Sequence, residues 1–311
     1  MKSLLITGAS GYVGRNLVSK VSKLNKYDIS VLLRKRDNAT PKEIRQIIIN
    51  DFTKIENSFS KLGTPDLIVH LAGIAHKKNI KNDDFISINV DVTSKLYNWA
   101  VEVNAEKFIF LSSIGVNGQV SVSPLDEMSN PNPQEFYAES KLRAENAITL
   151  NKDNNDKTKY VIIRSPLIYG LNAPGNFKLL KKWINSPLPL PFGKANNKRS
   201  IISINNLTDF IIHTFSHPSA SNETFLVSDL EPLSTKELVN TMIGSNNSYF
   251  KNFVVPVFIL KLILFLIGKR SHINKLFGTL EINITKSKSI LGWKPPYSSR
   301  SEIEKAMSIK K

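Results

Sequence analysis

One segment constrains this chain more than any other, because three glycines follow a short apolar run and open a helical pattern. The segment is Thr7-Gly8-Ala9-Ser10-Gly11-Tyr12-Val13-Gly14. Glycines at this spacing permit a tight turn, bring the backbone close to a pyrophosphate and let the helix pack on the sheet. The helix N-terminus then offers unpaired N–H groups to the phosphates. We therefore predict a dinucleotide site whose contacts include Gly8, Ser10, Gly11, Tyr12, Val13 and Gly14.

The first half of the chain alternates short β-branched runs with helical patterns, which is typical of a parallel sheet covered by helices on both faces. Strands are predicted at 3–7, 29–33, 47–49, 67–71, 108–111 and 161–163. Helices are predicted at 12–24, 85–103 and 137–150. The fold class is therefore α/β, with a Rossmann-type, doubly wound parallel sheet.

The regular alternation ends after Tyr169-Gly170, where prolines and glycines break the chain into loops and short elements. This change predicts a smaller C-terminal lobe that binds the substrate. We assign residues 1–170 to the dinucleotide-binding domain, and 171–200 with 228–311 to the substrate-binding lobe. The segment 201–227, with a strand at 201–204 and a helix at 207–215, is expected to return to the main sheet.

Composition excludes several classes of function. The 311 residues are 41% hydrophobic, which suffices for one sizeable core and an appended lobe. No cysteine is present and the five histidines lack metal-ligand spacing, so neither a disulfide nor a metal site is expected. The net charge of +16 comes from dispersed cations such as Lys77-Lys78 and Lys181-Lys182, which does not indicate nucleic-acid binding. The first apolar run is too short for a secretory signal, so we expect a cytoplasmic protein.

An apolar segment at 253–267 has Lys251 before it and Lys269-Arg270 after it. It is shorter than the ~20 residues of a spanning helix and contains Pro256 and Lys261, so no membrane span is expected. A buried or partner-facing helix is the preferred interpretation. Peripheral contact of residues 253–270 with an anionic membrane stays open, as does a homodimer.

The second predicted strand ends at Leu33, where folds that prefer NAD usually place an acidic residue. This chain has Arg34-Lys35-Arg36 there, which suits a 2′-phosphate and equally suits a solvated turn, so NAD and NADP both stay open. Asp51 follows the third strand and is predicted to accept a hydrogen bond from the adenine amine. Ala72-Gly73, after the fourth strand, leaves room for the cofactor to pass.

Catalytic chemistry is indicated by Ser112-Ser113 at a strand end and by Tyr137 and Lys141 at a helix start. Residues four apart share a helical face, so Lys141 is expected beside Tyr137. A neighbouring ammonium favours the phenolate, and we therefore predict a Tyr137 pKa below its usual ~10. Such a phenol can exchange a proton with a substrate hydroxyl.

Together these residues resemble the extended short-chain dehydrogenase/reductase family, which includes the UDP-glucose 4-epimerases. The likeness covers nearly the whole chain. Besides the glycine turn and the Ser113, Tyr137 and Lys141 set, it includes His70-Leu71-Ala72-Gly73, Asn89-Val90-Asp91-Val92-Thr93, Arg164-Ser165-Pro166-Leu167-Ile168-Tyr169-Gly170 and Leu291-Gly292-Trp293-Lys294-Pro295.

The resemblance implies roles for individual residues. Tyr137 is implied to be the acid/base, Lys141 to bind the nicotinamide ribose, and Ser113 to hydrogen-bond the reacting oxygen, with Ser112 structural. Asn89 is implied to help position the active site. Asn176, Phe177 and Arg199 match positions that family members use for the nucleotide and its diphosphate, although Arg199 also suits a merely basic loop. The remaining predicted cofactor contacts are Arg34, Asp51, Phe52, Leu71, Ala72, Gly73 and Pro166.

Two departures from the family narrow the reaction. The 4,6-dehydratases carry Thr-Asp-Glu where this chain has Ser113-Ile114-Gly115, so dehydration is disfavoured. Many 4-epimerases have a tyrosine where this chain has Asn117, which leaves the sugar open. The preferred function is hydride transfer at carbon 4 of a UDP-hexose or UDP-N-acetylhexosamine by a 4-epimerase of surface polysaccharide synthesis.

Two other functions stay open. One is an NADPH-dependent 4-keto reductase of a UDP-4-keto-6-deoxy-N-acetylhexosamine. The other is a non-catalytic dinucleotide sensor, against which the retention of Ser113, Tyr137 and Lys141 argues.

Overall fold

The computed structural model describes residues 1–75, 81–150, 157–186, 188, 190–245, 252–266 and 268–308. The pair Lys77-Lys78 and position 267 of the apolar segment lie outside the described residues. The strands are β1 (Lys2–Thr7), β2 (Tyr27–Leu33), β3 (Arg45–Ile48), β4 (Leu67–His70), β5 (Lys107–Ser113), β6 (Lys159–Ser165), β7 (Leu167–Tyr169), β8 (Ile201–Ser203) and β9 (Glu223–Leu226).

The helices of the first half are α1 (Tyr12–Ser22), α2 (Phe59–Leu62), α3 (Asn82–Phe85), α4 (Val92–Glu102) and α5 (Phe136–Thr149). Those of the second half are α6 (Gly175–Ile184), α7 (Ile204–Ser216), α8 (Thr235–Gly244), α9 (Val257–Leu266), α10 (Ser271–Phe277), α11 (Thr285–Leu291) and α12 (Ser299–Ser308). Short 3₁₀ segments lie at Phe52–Ser58, Ile114–Val116 and Pro218–Ala220.

Within the described residues, seven strands form one sheet in the order β3-β2-β1-β4-β5-β6-β9. Every pairing is parallel, and Thr7 at the end of β1 lies opposite His70 at the end of β4. The chain runs outward from β1 in one direction and then outward from β4 in the other. The predicted doubly wound α/β fold is therefore confirmed, and its reversal of strand order lies between β1 and β4.

Both faces of the sheet are buried, which explains the near-continuous apolar strands. Successive side chains of a strand point to opposite faces. Leu4 and Ile6 of β1 accordingly lie in one core cluster with α1 and α7, whereas Leu5 lies in a second cluster with α4 and α5.

The predicted return of strand 201–204 to the main sheet is wrong. β8 pairs instead with β7, in a separate two-stranded parallel sheet with Leu167 opposite Ile201. An apolar pattern in the sequence predicts that a strand forms, but it does not predict which strand it pairs with. In this structure β9 pairs with β6 and so occupies the edge of the main sheet. Helix α7 does pack on the main sheet, through residues that include Leu207, Phe210 and Ile211.

The predicted helix 85–103 is interrupted. α3 ends at Phe85, a π-helical turn covers Ile86–Asp91, and α4 then begins at Val92. π-turns insert an extra residue into a helix and often occur at functional sites. The buried residue of this turn is Asn89.

The C-terminal lobe has its own apolar cluster, built from α6, α8, α12 and the segment around Phe192. Helix α9 packs on this cluster only along one side, where Val257, Leu260 and Leu264 are partly buried. Within the described residues, no helix has the length and apolar character to cross a membrane.

Candidate active site

A cavity of about 820 Å³ lies at the carboxyl ends of the strands and includes Gly8 and Leu71 at the reversal of strand order. Ligands of doubly wound sheets bind in this position. One side of the cavity, here called the glycine wall, consists of Gly8, Gly11, Tyr12, Val13, Gly14 and Leu71. A second group of lining residues, here called the basic wall, consists of Arg199, Lys269, His272 and Lys275.

The glycine wall admits no larger residues at two positions. Gly8 has φ +72°, and a Cβ there would lie 2.6 Å from the backbone of Leu71 and Ala72. A Cβ on Gly14 would lie 2.2 Å from the Gly8 carbonyl oxygen. These glycines hold β1, β4 and α1 together at backbone distance.

The start of α1 fits the phosphates of a dinucleotide. Gly11 is the residue that precedes the helix, and it lines the cavity without a side chain. The first N–H groups of a helix have no acceptors within the helix, and the helix dipole favours an anion there. The glycine wall therefore fits a nicotinamide dinucleotide, held at its phosphates by the N-terminus of α1.

The side chains of Ser113 and Tyr137 both line the cavity and contact each other. Ser113 ends β5, and its hydroxyl accepts a hydrogen bond of 3.1 Å from the Gly115 N–H and hydrogen-bonds the Tyr137 phenol. Tyr137 lies in the first turn of α5, so the strand end and the helix start bring both hydroxyls to one point.

The predicted lowering of the Tyr137 pKa is wrong for this structure. Burial raises the pKa of the Tyr137 phenol to about 12, and the hydrogen bond from Ser113 opposes this rise only in part. Desolvation penalises the charged phenolate more than the sequence pattern suggests. In the cofactor-free chain Tyr137 therefore holds its proton at neutral pH.

Lys141 is buried, and burial lowers the pKa of its ammonium to about 8, against an opposing effect of Glu145. Its Nζ donates to the Leu111 carbonyl at 2.9 Å and lies 4.4 Å from the centre of the Phe110 ring. A Cβ added at Gly73 would lie 3.6 Å from this Nζ. The absent side chain at Gly73 thus leaves space beside the ammonium.

Asn89 connects the π-turn to the loop after β4 and to α5. Its Oδ1 accepts from the Ile74 N–H at 2.8 Å, and its Nδ2 donates to the Ile74 carbonyl at 3.0 Å and to Ser140 Oγ at 2.9 Å. Because all these groups are buried, the side chain orders the loop through Gly73 rather than facing solvent. It positions the site without lining the cavity wall.

A buried network behind the site accounts for Ser112 and Asn117. Ser112 hydrogen-bonds Glu145, which forms an ion pair of 2.6 Å with Arg164. Arg164 also donates to Asn117 Oδ1 at 3.1 Å, and Asn117 donates to the Ser129 carbonyl at 2.8 Å. Asn117 therefore points into this network instead of lining the cavity, where the neighbouring residues Gly118 and Gln119 lie.

Arg199 contributes a guanidinium group to the basic wall. Its Nη1 donates to the Asn274 carbonyl at 2.9 Å and to the Gly278 carbonyl at 3.0 Å, and burial lowers the pKa of its guanidinium to about 10. Lys275 forms an ion pair of 2.8 Å with Glu135. The wall thus combines one partly buried guanidinium with more exposed cations.

Some of the other predicted site residues line the cavity, and others do not. Asn176, Phe177 and Pro166 line the cavity, with the Phe177 ring buried against Tyr169 at 5.7 Å between centroids. Asp51 is exposed, and its side chain accepts hydrogen bonds from Thr53, which lower the pKa of its carboxyl. The predicted contacts that do not line the cavity are Ser10, Arg34, Asp51, Phe52, Ala72, Gly73 and Lys141.

Sequence reasoning missed several lining residues. Gln119 and Gln134 line the cavity, and Lys269, His272 and Lys275 reach it from the segment after α9. Only Lys269 stood out in the sequence, as a flank of the apolar segment. No local motif marks the others, because they approach the site only through tertiary folding.

Comparisons with known proteins agree with this geometry. The NAD dependent epimerase/dehydratase family matches residues 4–228. The chain is 35% identical to a UDP-glucose 4-epimerase of Vibrio cholerae over 95% of this chain and 91% of that protein. It is 27% identical to an Escherichia coli O157:H7 N-acetyl-alpha-D-glucosaminyl-diphospho-ditrans,octacis-undecaprenol 4-epimerase, over 82% and 75%.

A solved UDP-glucose 4-epimerase of Thermotoga maritima, crystallised with UDP-glucose, has the same fold, with a TM-score of 0.79 and 19% identity over 98% of this chain and 97% of that one. The family match covers residues 4–228, which is more than half of the chain, and the identity to the Vibrio protein extends over 95% of it. The chain therefore belongs to the NAD-dependent epimerase/dehydratase family and is an enzyme of the extended short-chain dehydrogenase/reductase class.

Proposed function

We propose that this enzyme is a 4-epimerase of a UDP-hexose or UDP-N-acetylhexosamine that serves surface polysaccharide synthesis. The observation that carries the proposal is the continuity of one cavity from the glycine wall, past Ser113 and Tyr137, to Arg199. A dinucleotide at the glycine wall and a sugar diphosphate at the basic wall would meet at the phenol. The relatives named as 4-epimerases support the same reaction.

The chain's own residues supply the proton chemistry. The glycine wall would hold the dinucleotide, which when bound would supply the hydride chemistry at carbon 4 of the sugar. Tyr137 acts through its phenolate, which is the minor form at neutral pH in the cofactor-free chain. The phenolate takes the proton of the 4-hydroxyl as the C–H bond breaks, and the phenol returns that proton when the ketone is reduced. Ser113 donates a hydrogen bond to the reacting oxygen, and Lys141, a cation below about pH 8, holds the ribose and favours the phenolate.

Substrate orientation comes from the basic wall. The planar guanidinium of Arg199 suits the paired, charge-assisted hydrogen bonds of a diphosphate. Asn176 and Phe177, at the start of α6, border the same cavity and would contact the nucleotide. Asn117 faces away from the cavity, so its difference from the tyrosine of many 4-epimerases does not act by direct contact in this structure.

The preference for NAD or NADP depends on Arg34, Lys35 and Arg36. These residues follow β2 and are exposed. The nearby carboxylate of Asp37 forms an ion pair of 3.0 Å with Arg15, so a counter-charge already neutralises it. We propose that this turn admits the 2′-phosphate of NADP as well as NAD. Arg34→Asp should weaken NADP binding by about 10- to 150-fold, the worth of one charged hydrogen bond, and change NAD binding little.

Titration calorimetry with both cofactors measures this difference, and Lys26→Asp, at an exposed site before β2, is the matched control. Equal losses for NAD and NADP in Arg34→Asp would show that the turn is only surface charge.

The exposed cationic turn also favours a second reaction, because a 4-keto reductase consumes NADPH at every turnover and must release it. The deciding experiment incubates the enzyme with NAD and either UDP-glucose or UDP-N-acetylglucosamine. In a parallel reaction, the enzyme is incubated with a UDP-4-keto-6-deoxy-N-acetylhexosamine and NADPH. Interconversion at carbon 4, followed by NMR without net change in nicotinamide absorbance, supports the epimerase. Stoichiometric loss of NADPH with the keto sugar, and no interconversion, would establish the reductase instead.

A further inference from the structure

The outer surface of α9 is apolar and exposed. Its inner side packs on the C-terminal cluster, but Phe258, Ile259, Leu262, Ile263, Phe265 and Leu266 all face outward. Phe258 is 69% exposed and Leu266 is 72% exposed. A helix that is hydrophobic all round is normally buried, so this surface calls for an apolar partner.

Charge around this surface is of one sign. The stretch between Glu237 and Glu281 contains no acidic residue, and its cations are Lys251, Lys261, Lys269, Arg270 and Lys275. In the described part of the chain, no carboxylate pairs with Lys261, Lys269 or Arg270, whereas Lys275 pairs with Glu135. The Arg270 guanidinium lies 3.7 Å from the centre of the Phe265 ring, so a cation borders the apolar surface directly.

The length of α9 decides how it can meet a bilayer. Ten residues rise only about 15 Å, half of the ~30 Å hydrocarbon core. A helix too short to span the core can only insert its outer apolar side at the boundary between headgroups and acyl chains, to a depth of about 5–10 Å.

We propose that α9 docks on the surface of an anionic lipid bilayer, with its outer apolar side among the acyl chains and Lys261, Lys269 and Arg270 among the headgroups. A second copy of the chain fits this surface less well. A two-fold interface brings each patch against itself, so the same unpaired cations would face one another. Anionic headgroups instead neutralise them.

Docking also orients the cavity. Lys269, His272 and Lys275 of the basic wall follow α9 directly in the chain. A bilayer in contact with α9 therefore places the basic wall, and with it the sugar-diphosphate side of the cavity, beside the lipid headgroups.

The apolar part of the proposal is tested with the triple variant Phe258→Gln, Leu262→Gln and Leu266→Gln, whose three side chains are exposed and lie outside the cavity lining. Wild-type enzyme should float with phosphatidylglycerol vesicles and the triple variant should remain at the bottom of the gradient. A matched control, Val122→Gln with Met128→Gln and Leu150→Gln, replaces exposed apolar residues elsewhere and should float like wild type. Retained dinucleotide binding shows that the variants are folded.

The electrostatic part is tested by charge reversal. Lys261→Glu with Arg270→Glu should weaken vesicle binding at least about 25-fold, since each cation near an anionic surface contributes about fivefold. The control Lys23→Glu with Lys26→Glu makes the same change in net charge at exposed sites before β2. Binding should also fall with salt.

Three results would overturn the proposal. They are absence of wild-type flotation, equal binding to neutral phosphatidylcholine vesicles, and equal loss in the control variants. A dimer that the triple variant converts to monomers, without vesicle binding, would assign the surface to a second copy.

Discussion

The two walls of the cavity are built in different ways. The glycine wall comes mainly from residues 8–14, which follow one another in the chain, and its shape is that of the backbone. The basic wall comes from Arg199 and from 269–275, which are far apart in sequence. Its positive charge is carried by side chains. The first wall therefore has no room for an added carbon at Gly8 or Gly14, whereas changes in the second wall should alter affinity by degrees.

The largest effect is expected for Gly14→Ala, in the glycine wall. The new Cβ would lie 2.2 Å from the Gly8 carbonyl oxygen and 2.6 Å from the Ala9 Cα, so the turn must open. Overpacking of this kind costs about 1–3 kcal/mol of stability, and dinucleotide binding should be lost with the shape of the turn. Thermal denaturation and calorimetry measure both losses.

Gly244→Ala is the matched control, because a Cβ there meets nothing within 4 Å. Wild-type cofactor affinity in Gly14→Ala would show that the turn is more plastic than its packing indicates.

Tyr137→Phe tests the point at which the two walls meet. The substitution removes only the phenolic hydroxyl, so turnover should fall about 10²–10⁴-fold while dinucleotide binding persists. Steady-state rates and cofactor titration separate these effects. The control is Tyr160→Phe, a buried tyrosine outside the cavity. A Tyr137→Phe enzyme with more than about a tenth of the wild-type rate would remove this residue from the acid/base role.

Arg199→Met should produce a graded loss in the basic wall. Without the guanidinium, KM for the sugar nucleotide should rise by about 10- to 150-fold, and cofactor affinity should not change. Arg199→Lys should recover part of the loss, because it keeps the charge but not the planar fork. Lys198→Met, at an exposed neighbour, is the control. If both methionine variants raise KM equally, the segment acts only as a basic loop.

The smallest expected effect is on pH dependence at Lys141. The pKa of its ammonium is about 8 in the cofactor-free chain, so the cation is complete below that pH and is lost as pH rises through it. Dinucleotide affinity should therefore decline above about pH 8, by at most about tenfold for each pH unit, because the protonated fraction of Lys141 falls tenfold per unit above its pKa. Lys141→Arg keeps its charge in this range and should show no decline. A flat profile for both proteins would place the ribose away from Lys141.

Local patterns in the sequence were sufficient for the glycine turn, for the parallel sheet and for the placement of Ser113, Tyr137 and Lys141. Each of these features depends on residues within one strand, one turn or one helix, where spacing along the chain determines position in space. The same reasoning did not predict the pairing partner of β8. The edge of the main sheet beside β6 is occupied by β9, so β8 pairs with β7 instead.

The tertiary structure alone decided the electrostatics and the substrate side of the site. Burial raises the pKa of Tyr137 where helical spacing to Lys141 predicts a lower value. Asn117 turns into the network of Arg164 and Glu145, and Lys275 reaches the cavity from the far end of the chain. Desolvation and contacts between distant residues arise only when the chain is packed, because both depend on which groups exclude water from one another.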